Sequence, residues 1–348
     1  MCGIAGWINT ADNISQYKGV VEKMTEELIP RGPDDLGYWY SDHVLLGHRR
    51  LAVVDPAGGG QPMVRKRGDQ HFVIIYNGEL YNTADLRKEL ELLGHDFFSN
   101  SDTEVLLESY IEWGAGCAQR INGIYAFGVW NDRDKSIFLC RDRFGVKPLF
   151  YAQRGDSLIF ASELKALLKH PLVEPKVDSE GLAEVLALGP SRTPGHGVYK
   201  EVYEVKPGYY ILSDPTGIRK RRYWNFESRP HTDSPEKTLE TLRGLVVDSI
   251  ERQLAADVPV CTFLSGGLDS SAITAIAAES FKAKNQALNT YSIDYVDNEL
   301  YFRTSNFQPN SDAHWVRIMS ETFGTNHHYV KFDTPELVQA LLSATEAR

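Results

Sequence analysis

The chain has 348 residues, more than one hydrophobic core usually supports, so its length predicts two domains. Hydrophobic residues make up 42% and charged residues 24%, as in an ordinary soluble globular protein. The formal net charge of -10, with no dense basic run, argues against nucleic acid and against an anionic membrane surface as partners. Four cysteines without a CxxC pair, and an N-terminus without a basic leader, indicate a cytoplasmic protein.

Alternation and helical spacing predict the elements of the first two thirds of the chain. The predicted strands are 2–8, 43–54, 71–76, 124–130 and 136–140, and the predicted helices are 15–29 and 102–113. The second helix has a start signal, because Ser101 and Glu104 have the spacing of a capping box. Short strands broken by glycine and proline continue to residue 212.

A polar stretch with three prolines, at 213–236, is the best candidate for a domain boundary. The predicted organisation is a first domain at 2–218, a linker at 219–236 and a second domain at 237–348. The second domain is predicted to contain a helix (236–255), a strand (258–264), a glycine loop, a helix (271–280) and a strand (288–293). This order is a βαβ unit, which predicts a parallel sheet.

Two further stretches of the second domain are predicted from composition and spacing. The stretch 294–312, rich in Asn, Asp and Tyr, is expected to be an insertion or a mobile loop. The last residues, 335–348, have a helical pattern without a stop signal.

Cys2 directly follows the initiator methionine, which is normally removed when the next residue is small. Removal would leave one residue with both a thiol and a free α-amine. The reference pKa of an α-amine is near 8, so a large part of it is an unprotonated base near neutral pH. It could take the thiol proton without a histidine. The alternative is a cysteine at position 2 without a function, and the motifs that accompany Cys2 decide between the two.

Six motifs occur in order along the first domain. They are MCGIAG at the N-terminus, RGPD at 31–34, GHRRLAVVD at 47–55, YNGE at 76–79, SDTE at 101–104 and RDRFGVKPLFY at 141–151. This set resembles the class II glutamine amidotransferases, a branch of the N-terminal-nucleophile hydrolases. The resemblance covers residues 2–212. It implies an α+β fold, a four-layer αββα sandwich, in which Cys2 is the catalytic nucleophile that hydrolyses glutamine.

The same resemblance implies roles for the motif residues, and a structural alternative stands beside each. Asn77 and Gly78 would form the oxyanion hole, although Asn-Gly after an apolar strand is also typical of a type I′ hairpin turn. Arg50 would bind the α-carboxylate of glutamine, with a surface salt bridge as the alternative. Asp102, with Glu79 nearby, would accept the α-ammonium, with a helix-dipole interaction as the alternative. Backbone groups of Leu51, Val53 and Val54 would line the same pocket.

The segment FLSGGLDSS at 263–271 joins a predicted strand to a predicted helix. Two glycines allow a tight turn that brings backbone N–H groups and a helix N-terminus close to an anion, which predicts phosphate binding. The segment resembles the pyrophosphate loop of the ATP pyrophosphatases, whose fold is an α/β parallel sheet. The resemblance implies that Asp269 helps to hold Mg²⁺ against the phosphates of ATP. The implied ATP-binding residues are Leu264, Ser265, Gly266, Gly267, Asp269, Ser270 and Ile293.

An amidotransferase followed by this ATP loop resembles the glutamine-dependent asparagine synthetases. That family implies glutamine, aspartate and ATP as substrates, with β-aspartyl-AMP as the species that ammonia attacks. Its downstream motif, a Ser-Gly-Glu run ending in Asp-Glu, does not occur before Arg348. We therefore expect an incomplete second domain and a chain that keeps the glutaminase half.

Two alternatives for the function are carried alongside this expectation. The first is a related amidotransferase with a different acceptor, as in β-lactam-forming or peptide-modifying ligases. The second is a non-catalytic relative. A homodimer is the assembly to consider.

Overall fold

The computed structural model describes residues 1–189, 191–306 and 310–347, which divide into two compact units, Met1–Arg229 and Pro230–Arg348. The strands of the first unit are β1 (Gly3–Asn9), β2 (Asp35–Tyr40), β3 (Val44–Arg50), β4 (Met63–Arg67), β5 (Gln70–Leu80), β6 (Gly123–Asn131), β7 (Ser136–Arg141), β8 (Phe150–Arg154), β9 (Ser157–Ala161), β10 (Val202–Glu204), β11 (Tyr209–Asp214) and β12 (Gly217–Arg222). Its α-helices are α1 (Lys18–Glu26), α2 (Thr83–Leu92), α3 (Asp102–Trp113), α4 (Cys117–Arg120), α5 (Leu164–Leu167) and α6 (Ser179–Ala183).

Two six-stranded antiparallel sheets form the centre of the first unit. The first sheet has the strand order β10-β8-β9-β1-β3-β2, and the second has the order β12-β11-β7-β6-β5-β4. Both are rich in β-branched and aromatic residues, which pack well on a pleated surface. The N-terminal strand β1 lies between β9 and β3, so the residue before it, Cys2, is held at the end of a central strand.

Three layers of apolar side chains hold the first unit together. One layer lies between the two sheets and includes Ile4, Leu46, Ile75 and Trp130. A second joins α1 and α5 to the outer face of the first sheet, and a third joins α2, α3 and α4 to the outer face of the second sheet. Each sheet is therefore buried on both faces, and the predicted four-layer αββα sandwich is confirmed.

The predicted linker begins with a basic cluster at 219–222, which the structure places in strand β12. β12 is the edge strand of the second sheet and pairs with β11 through Leu212 and Arg219. Its residues are largely exposed, and positively charged side chains on an edge strand discourage pairing with other chains. The strand resembles a linker in sequence because it contributes almost nothing to the core.

The second unit contains the parallel sheet that the βαβ pattern predicts. Its strands are β13 (Cys261–Phe263), β14 (Asn289–Tyr295) and β15 (Asn326–Phe332), and its helices are α7 (Pro235–Arg252), α8 (Leu268–Ala283), α9 (Asn298–Tyr301), α10 (Asp312–Phe323) and α11 (Thr334–Ala347). β14 pairs in parallel with both β13 and β15.

The stretch 294–312, predicted as an insertion or a mobile loop, includes the end of β14 and the short helix α9. Its residues 307–309 lie outside the described part of the chain, as does Arg348 at the end of the last predicted helix. None of the helices in the described ranges combines the length and the apolar composition that crossing a membrane would require.

Candidate active site

One pocket of the first unit contains every first-domain residue that the sequence nominates for the site. These residues are Cys2, Arg50, Leu51, Val53, Val54, Asn77, Gly78, Glu79 and Asp102. They come from the N-terminus, the end of β3, the loop after it, the end of β5 and the start of α3. Seven lining residues are additional to that prediction: Met1, Gly59, Gln61, Tyr76, Ser101, Thr103 and Lys147.

The Cys2 thiol lies against the backbone of the loop that follows β3. The N–H of Leu51 points to Cys2 Sγ at 3.4 Å, and Sγ lies 3.7 Å from the Leu51 carbonyl oxygen. The carbonyl of Cys2 accepts a hydrogen bond of 2.9 Å from Arg31 Nε. Asp34 Oδ2 accepts one of the same length from the N–H of Ala52. The RGPD motif therefore fixes both the backbone of Cys2 and the loop that faces its thiol.

Burial raises the pKa of the Cys2 thiol. The Leu51 N–H, the N-terminal amine and the Arg50 guanidinium oppose this rise, because each favours the negative thiolate. A buried thiol without a base would be inert, so a proton acceptor close to Cys2 is needed.

The described lining of the pocket contains no histidine that could serve as that base. His48, on β3, is fully buried, and burial lowers the pKa of its imidazole to about 4. Its Nε2 lies 3.0 Å from the carbonyl oxygen of Tyr76, which makes it a neutral donor that braces β5. His48 is therefore a structural group and not a base for Cys2.

Arg50 is the last residue of β3, and its side chain is buried rather than paired on the surface. Its Nη1 donates to the Pro56 carbonyl at 2.8 Å, and its Nη2 donates to Val54 at 3.2 Å and Asp55 at 2.7 Å. These bonds curl the loop 51–56 around the guanidinium. They use three of its five N–H donors, which leaves two for a ligand in the pocket.

Asn77 and Gly78 do not form a hairpin turn, and that prediction is wrong. Both residues lie inside β5, where they pair with Ala126 and Tyr125 of β6. A Cβ at Gly78 would lie 2.3 Å from the Ile124 carbonyl oxygen and 2.6 Å from the Tyr76 ring. Glycine is therefore required by close packing within the sheet, and the local Asn-Gly signal does not reveal this.

The Asn77 side chain is the least satisfied group of the pocket. It is 1% exposed, yet neither its Nδ2 nor its Oδ1 has a hydrogen-bond partner among the residues that the structure describes. Leaving a buried amide unpartnered costs about 1–3 kcal/mol, so an orphan group of this kind calls for an explanation. A polar ligand that completes these bonds is the direct explanation, because the amide lines the pocket that contains Cys2.

Asp102 is the first residue of α3, and β5 supplies two hydrogen bonds to its carboxylate. Asp102 Oδ2 accepts a hydrogen bond of 3.0 Å from the Tyr76 hydroxyl and one of 3.1 Å from the Leu80 N–H. Burial raises the pKa of this carboxyl to about 6, although both hydrogen bonds oppose the rise. Asp102 is therefore a weakly acidic carboxyl group that lines the pocket.

Tyr76 connects three walls of the site. Its N–H donates to Gln61 Oε1 at 2.7 Å, its hydroxyl donates to Asp102, and its carbonyl accepts from His48. Gln61 in turn donates to Thr103 Oγ1 at 3.3 Å. The YNGE motif contains Tyr76, and its place immediately before Asn77 is the signal that could have identified it.

The capping box predicted for Ser101 and Glu104 is correct for Ser101 alone. Ser101 is the N-cap of α3, and its hydroxyl accepts from the Thr103 N–H at 3.2 Å. Glu104 instead accepts from the N–H groups of Phe98 and Ser99 and pairs with Arg65 at 3.3 Å. The glutamate therefore binds the segment just before the N-cap and Arg65 of β4 instead of closing the capping box.

The nominated ATP-binding residues of the second unit are only partly gathered into one cavity. Leu264, Ser265 and Ile293 line a cavity of about 340 Å³ above β13 and β14. Gly266, Gly267, Asp269 and Ser270 form the adjacent loop and the first turn of α8, whose N-cap is Gly267. The Ser265 and Ser270 hydroxyls lie 3.0 Å apart across this loop.

The αββα sandwich and the cysteine pocket are those expected of a class II glutamine amidotransferase. The glutamine amidotransferase domain family matches residues 1–224, and the asparagine synthase family matches residues 241–348. The chain belongs to the family of glutamine-hydrolysing asparagine synthetases.

Individual relatives agree with this assignment. The chain is 52% identical to asparagine synthetase [glutamine-hydrolyzing] 3 of Bacillus subtilis over 99% of its length and 56% of that protein. It is 31% identical to a Methanocaldococcus jannaschii protein provisionally named as an asparagine synthetase, over 97% of this chain and 67% of that one.

A solved structure, the glutamine phosphoribosylpyrophosphate amidotransferase of Bacillus subtilis, is similar with a TM-score of 0.46 and 16% identity. The match covers 94% of this chain and 65% of the amidotransferase chain. The chain spans about half the length of the Bacillus subtilis synthetases that it matches, 56% of one and 46% of another.

Proposed function

We propose that the first unit hydrolyses glutamine to glutamate and ammonia after Met1 has been removed. The α-amine of Cys2 takes the thiol proton, and the thiolate attacks the side-chain amide carbon of glutamine. The tetrahedral intermediate collapses to a γ-glutamyl thioester as the Cys2 α-ammonium gives its proton to the leaving nitrogen, which departs as ammonia. Water then hydrolyses the thioester and frees Cys2.

The unpartnered Asn77 amide is the observation that carries this proposal. The amide is already desolvated and held beside the pocket that contains Cys2, so it need not reorganise to bind the oxygen on which negative charge develops. The Gly78 N–H would be its companion donor, as the resemblance implies. A storage or scaffold protein would have no need to bury an amide without partners.

The two ends of the glutamine backbone would be held by opposite charges. The two free N–H donors of Arg50 suit the α-carboxylate, and Asp102 with Glu79 suits the α-ammonium. All three side chains line the pocket. This pairing selects a free amino acid over a peptide, because a peptide bond removes at least one of the two charges.

The raised pKa of Asp102 predicts a pH dependence of glutamine binding. The free carboxyl, with its pKa of about 6, gains a proton as pH falls from 7 to 5 and then cannot pair with an ammonium. The KM for glutamine should rise by about tenfold per pH unit below 6. Initial rates at pH 5 to 8 measure this, and Asp102→Asn should show a high KM without the same slope. A wild-type KM that is constant from pH 5 to 7 would contradict the assignment.

For the second unit, we propose that the loop 265–270 and the neighbouring cavity bind ATP. The start of α8 offers backbone N–H groups and a helix dipole to phosphate, because Gly267 provides no side-chain cap. Asp269 is exposed in the first turn of α8. One carboxylate plus phosphate oxygens is a donor set that suits Mg²⁺, which would neutralise phosphate charge when bound.

The complete reaction proposed for the full-length protein is asparagine synthesis from aspartate, ATP and glutamine in the cytoplasm, with a homodimer as the assembly to test. The experiment incubates full-length protein with ATP, Mg²⁺, glutamine and aspartate and measures glutamate, asparagine and AMP. Asparagine and AMP in equal amounts support the proposal. Glutamate without asparagine would redirect the search to another acceptor, such as a β-lactam precursor or a peptide, and no glutamate at all would refute the glutaminase.

A further inference from the structure

Lys147 is a buried cation in the glutamine pocket that the proposed reaction does not yet use. It is 5% exposed and lines the same pocket as Cys2, Asn77 and Glu79. Lysine is among the residues least often fully buried unless its charge is paired. A lysine in this position therefore requires either a partner or a function.

The side chain of Lys147 contacts Met1, the residue that N-terminal processing would remove. Its Nζ lies 3.1 Å from the thioether sulfur of Met1, a weak acceptor. In the described part of the chain Lys147 forms no ion pair. Burial lowers the pKa of its ammonium, and the nearby Glu79, Cys2 and Asp142 oppose this. Removal of Met1 would take away this contact and leave the ammonium in the pocket that it shares with Cys2.

The sixth motif, RDRFGVKPLFY, fixes Lys147 through its backbone. Arg141 Nε donates to the Lys147 carbonyl at 2.7 Å, and the Lys147 N–H donates to Asp142 Oδ2 at 3.0 Å. The other Asp142 oxygen accepts from the N–H groups of Phe144 and Val146 at 3.0 Å each. These hydrogen bonds fix the backbone of the loop, and with it the position from which the Lys147 side chain extends.

The charge of Lys147 acts on both halves of the Cys2 pair. Lys147, after burial and Arg31, helps to lower the pKa of the N-terminal amine of Met1. The same charge would act on the Cys2 amine once Met1 is removed, because that amine becomes the new N-terminus, and it would increase the fraction of free base. The attraction between the ammonium and the Cys2 thiolate is mutual, so it also favours the ionised thiol. Both effects favour the reactive form.

We propose that Lys147 is a positioning residue of the glutaminase, whose fixed ammonium beside the processed N-terminus keeps the Cys2 amine unprotonated and favours its thiolate. The inference rests on the proposed glutamine hydrolysis. Lys147 transfers no proton in this role, since the thiol proton passes to the α-amine. The other charged groups that face the Cys2 pair are Arg31, Asp34, Arg50, Glu79, Asp102 and Asp142.

The test compares Lys147→Met and Lys147→Arg with Lys66→Met, which removes the same charge from an exposed position on β4. Mass spectrometry first confirms that Met1 is absent from each protein. The rate of iodoacetamide alkylation is then measured against pH at the Cys2 peptide, because the exposed Cys261 would react as well. The pH dependence of kcat for glutamine hydrolysis is the second measurement.

In Lys147→Met the midpoint of Cys2 alkylation should move up by about 0.5–1 pH unit, the order expected from one lost neighbouring charge. kcat at pH 7 should fall by about five- to tenfold with it. Lys147→Arg should keep the alkylation midpoint close to the wild-type value. Lys66→Met should leave both the midpoint and kcat unchanged. If thermal melting shows Lys147→Met to be unfolded, Lys147→Gln takes its place.

An unchanged midpoint in the folded neutral variant would overturn the role of Lys147, even if kcat fell. The failure of the glutaminase itself is separately visible. If Cys2→Ala still released glutamate, the proposed function would fail whatever the lysine variants did. If Cys2→Ala were inactive while the midpoint stayed fixed, only the inference about Lys147 would fail.

Discussion

Replacing Cys2 with alanine is expected to reduce glutamate release from glutamine by roughly 10⁴-fold or more, as for the loss of other covalent nucleophiles. Every later step of the proposed reaction passes through the thioester on Sγ, and the proposed mechanism includes no other nucleophile from the protein. Initial rates of glutamate formation measure the effect. Glutamine binding should persist in this variant, because Arg50 and Asp102 hold the substrate, and isothermal titration calorimetry can detect it.

The matched control is Cys261→Ala, which removes the exposed thiol at the start of β13 and should keep the full glutaminase rate. Cys2→Ser gives a second comparison, since serine preserves removal of Met1 and differs from cysteine in one atom. Its hydroxyl is far harder to ionise than a thiol, so activity should stay close to that of the alanine variant. Glutamate release near the wild-type rate in Cys2→Ala would show that the thiol is not the nucleophile.

Elements with a strong local pattern could be predicted closely from the sequence. The helix predicted at 102–113 is the α3 observed, and the strand–helix–strand order of the second unit gave the correct parallel pairing of β13 and β14. Apolar spacing and an N-cap serine are local signals that tertiary packing had no reason to override. The ends of strands were less certain: the strand predicted at 43–54 ends at Arg50, because that side chain draws the carbonyls of 54–56 towards itself.

The errors arose where distant residues decide the local structure. Asn77-Gly78 matches a turn by composition, but Ile124 and Tyr125 on β6 lie against it and require an uninterrupted strand. Glu104 matches a cap by spacing, but it accepts from the N–H groups of Phe98 and Ser99 and pairs with Arg65, 39 positions earlier in the chain. Local sequence does not contain the information that separates these outcomes. In both cases the sequence identified a polar residue but not the residues that contact it.

The candidate site was easier to predict than the contacts that support it. The motif residues nominated from the sequence line one pocket, whereas Gln61, Tyr76 and Lys147 had no assigned role. These three act through neighbours: Gln61 and Tyr76 hold the wall that carries Asp102, and Lys147 is presented by a loop built on Asp142. A side chain's own type indicates its chemistry, but it does not indicate which residues hold it in place.

Replacing Asn77 with alanine is the second change for which a large effect is expected. kcat for glutamine hydrolysis should fall by about 10²–10³-fold, the usual loss when one oxyanion-hole donor is removed. KM should change much less, since the amide completes its hydrogen bond only as negative charge develops on the substrate oxygen. Steady-state kinetics at saturating glutamine separate the two constants. Asn13→Ala, at an exposed position, is the control that should match the wild type.

Protein stability provides the sharper half of the Asn77 test. A buried amide normally stabilises the fold through its hydrogen bonds, but this one has none in the described structure, so its removal forfeits no bond and relieves a desolvation penalty. The melting temperature of Asn77→Ala should therefore stay within about 2 °C of the wild type or rise above it. A fall in activity accompanied by a large fall in melting temperature would mean that the amide supports the fold. Full activity in a stable variant would mean that the negative oxygen is held elsewhere. Only the combination of a stable protein and a much lower kcat agrees with a group that is left unsatisfied at rest so that it can bind the transition state.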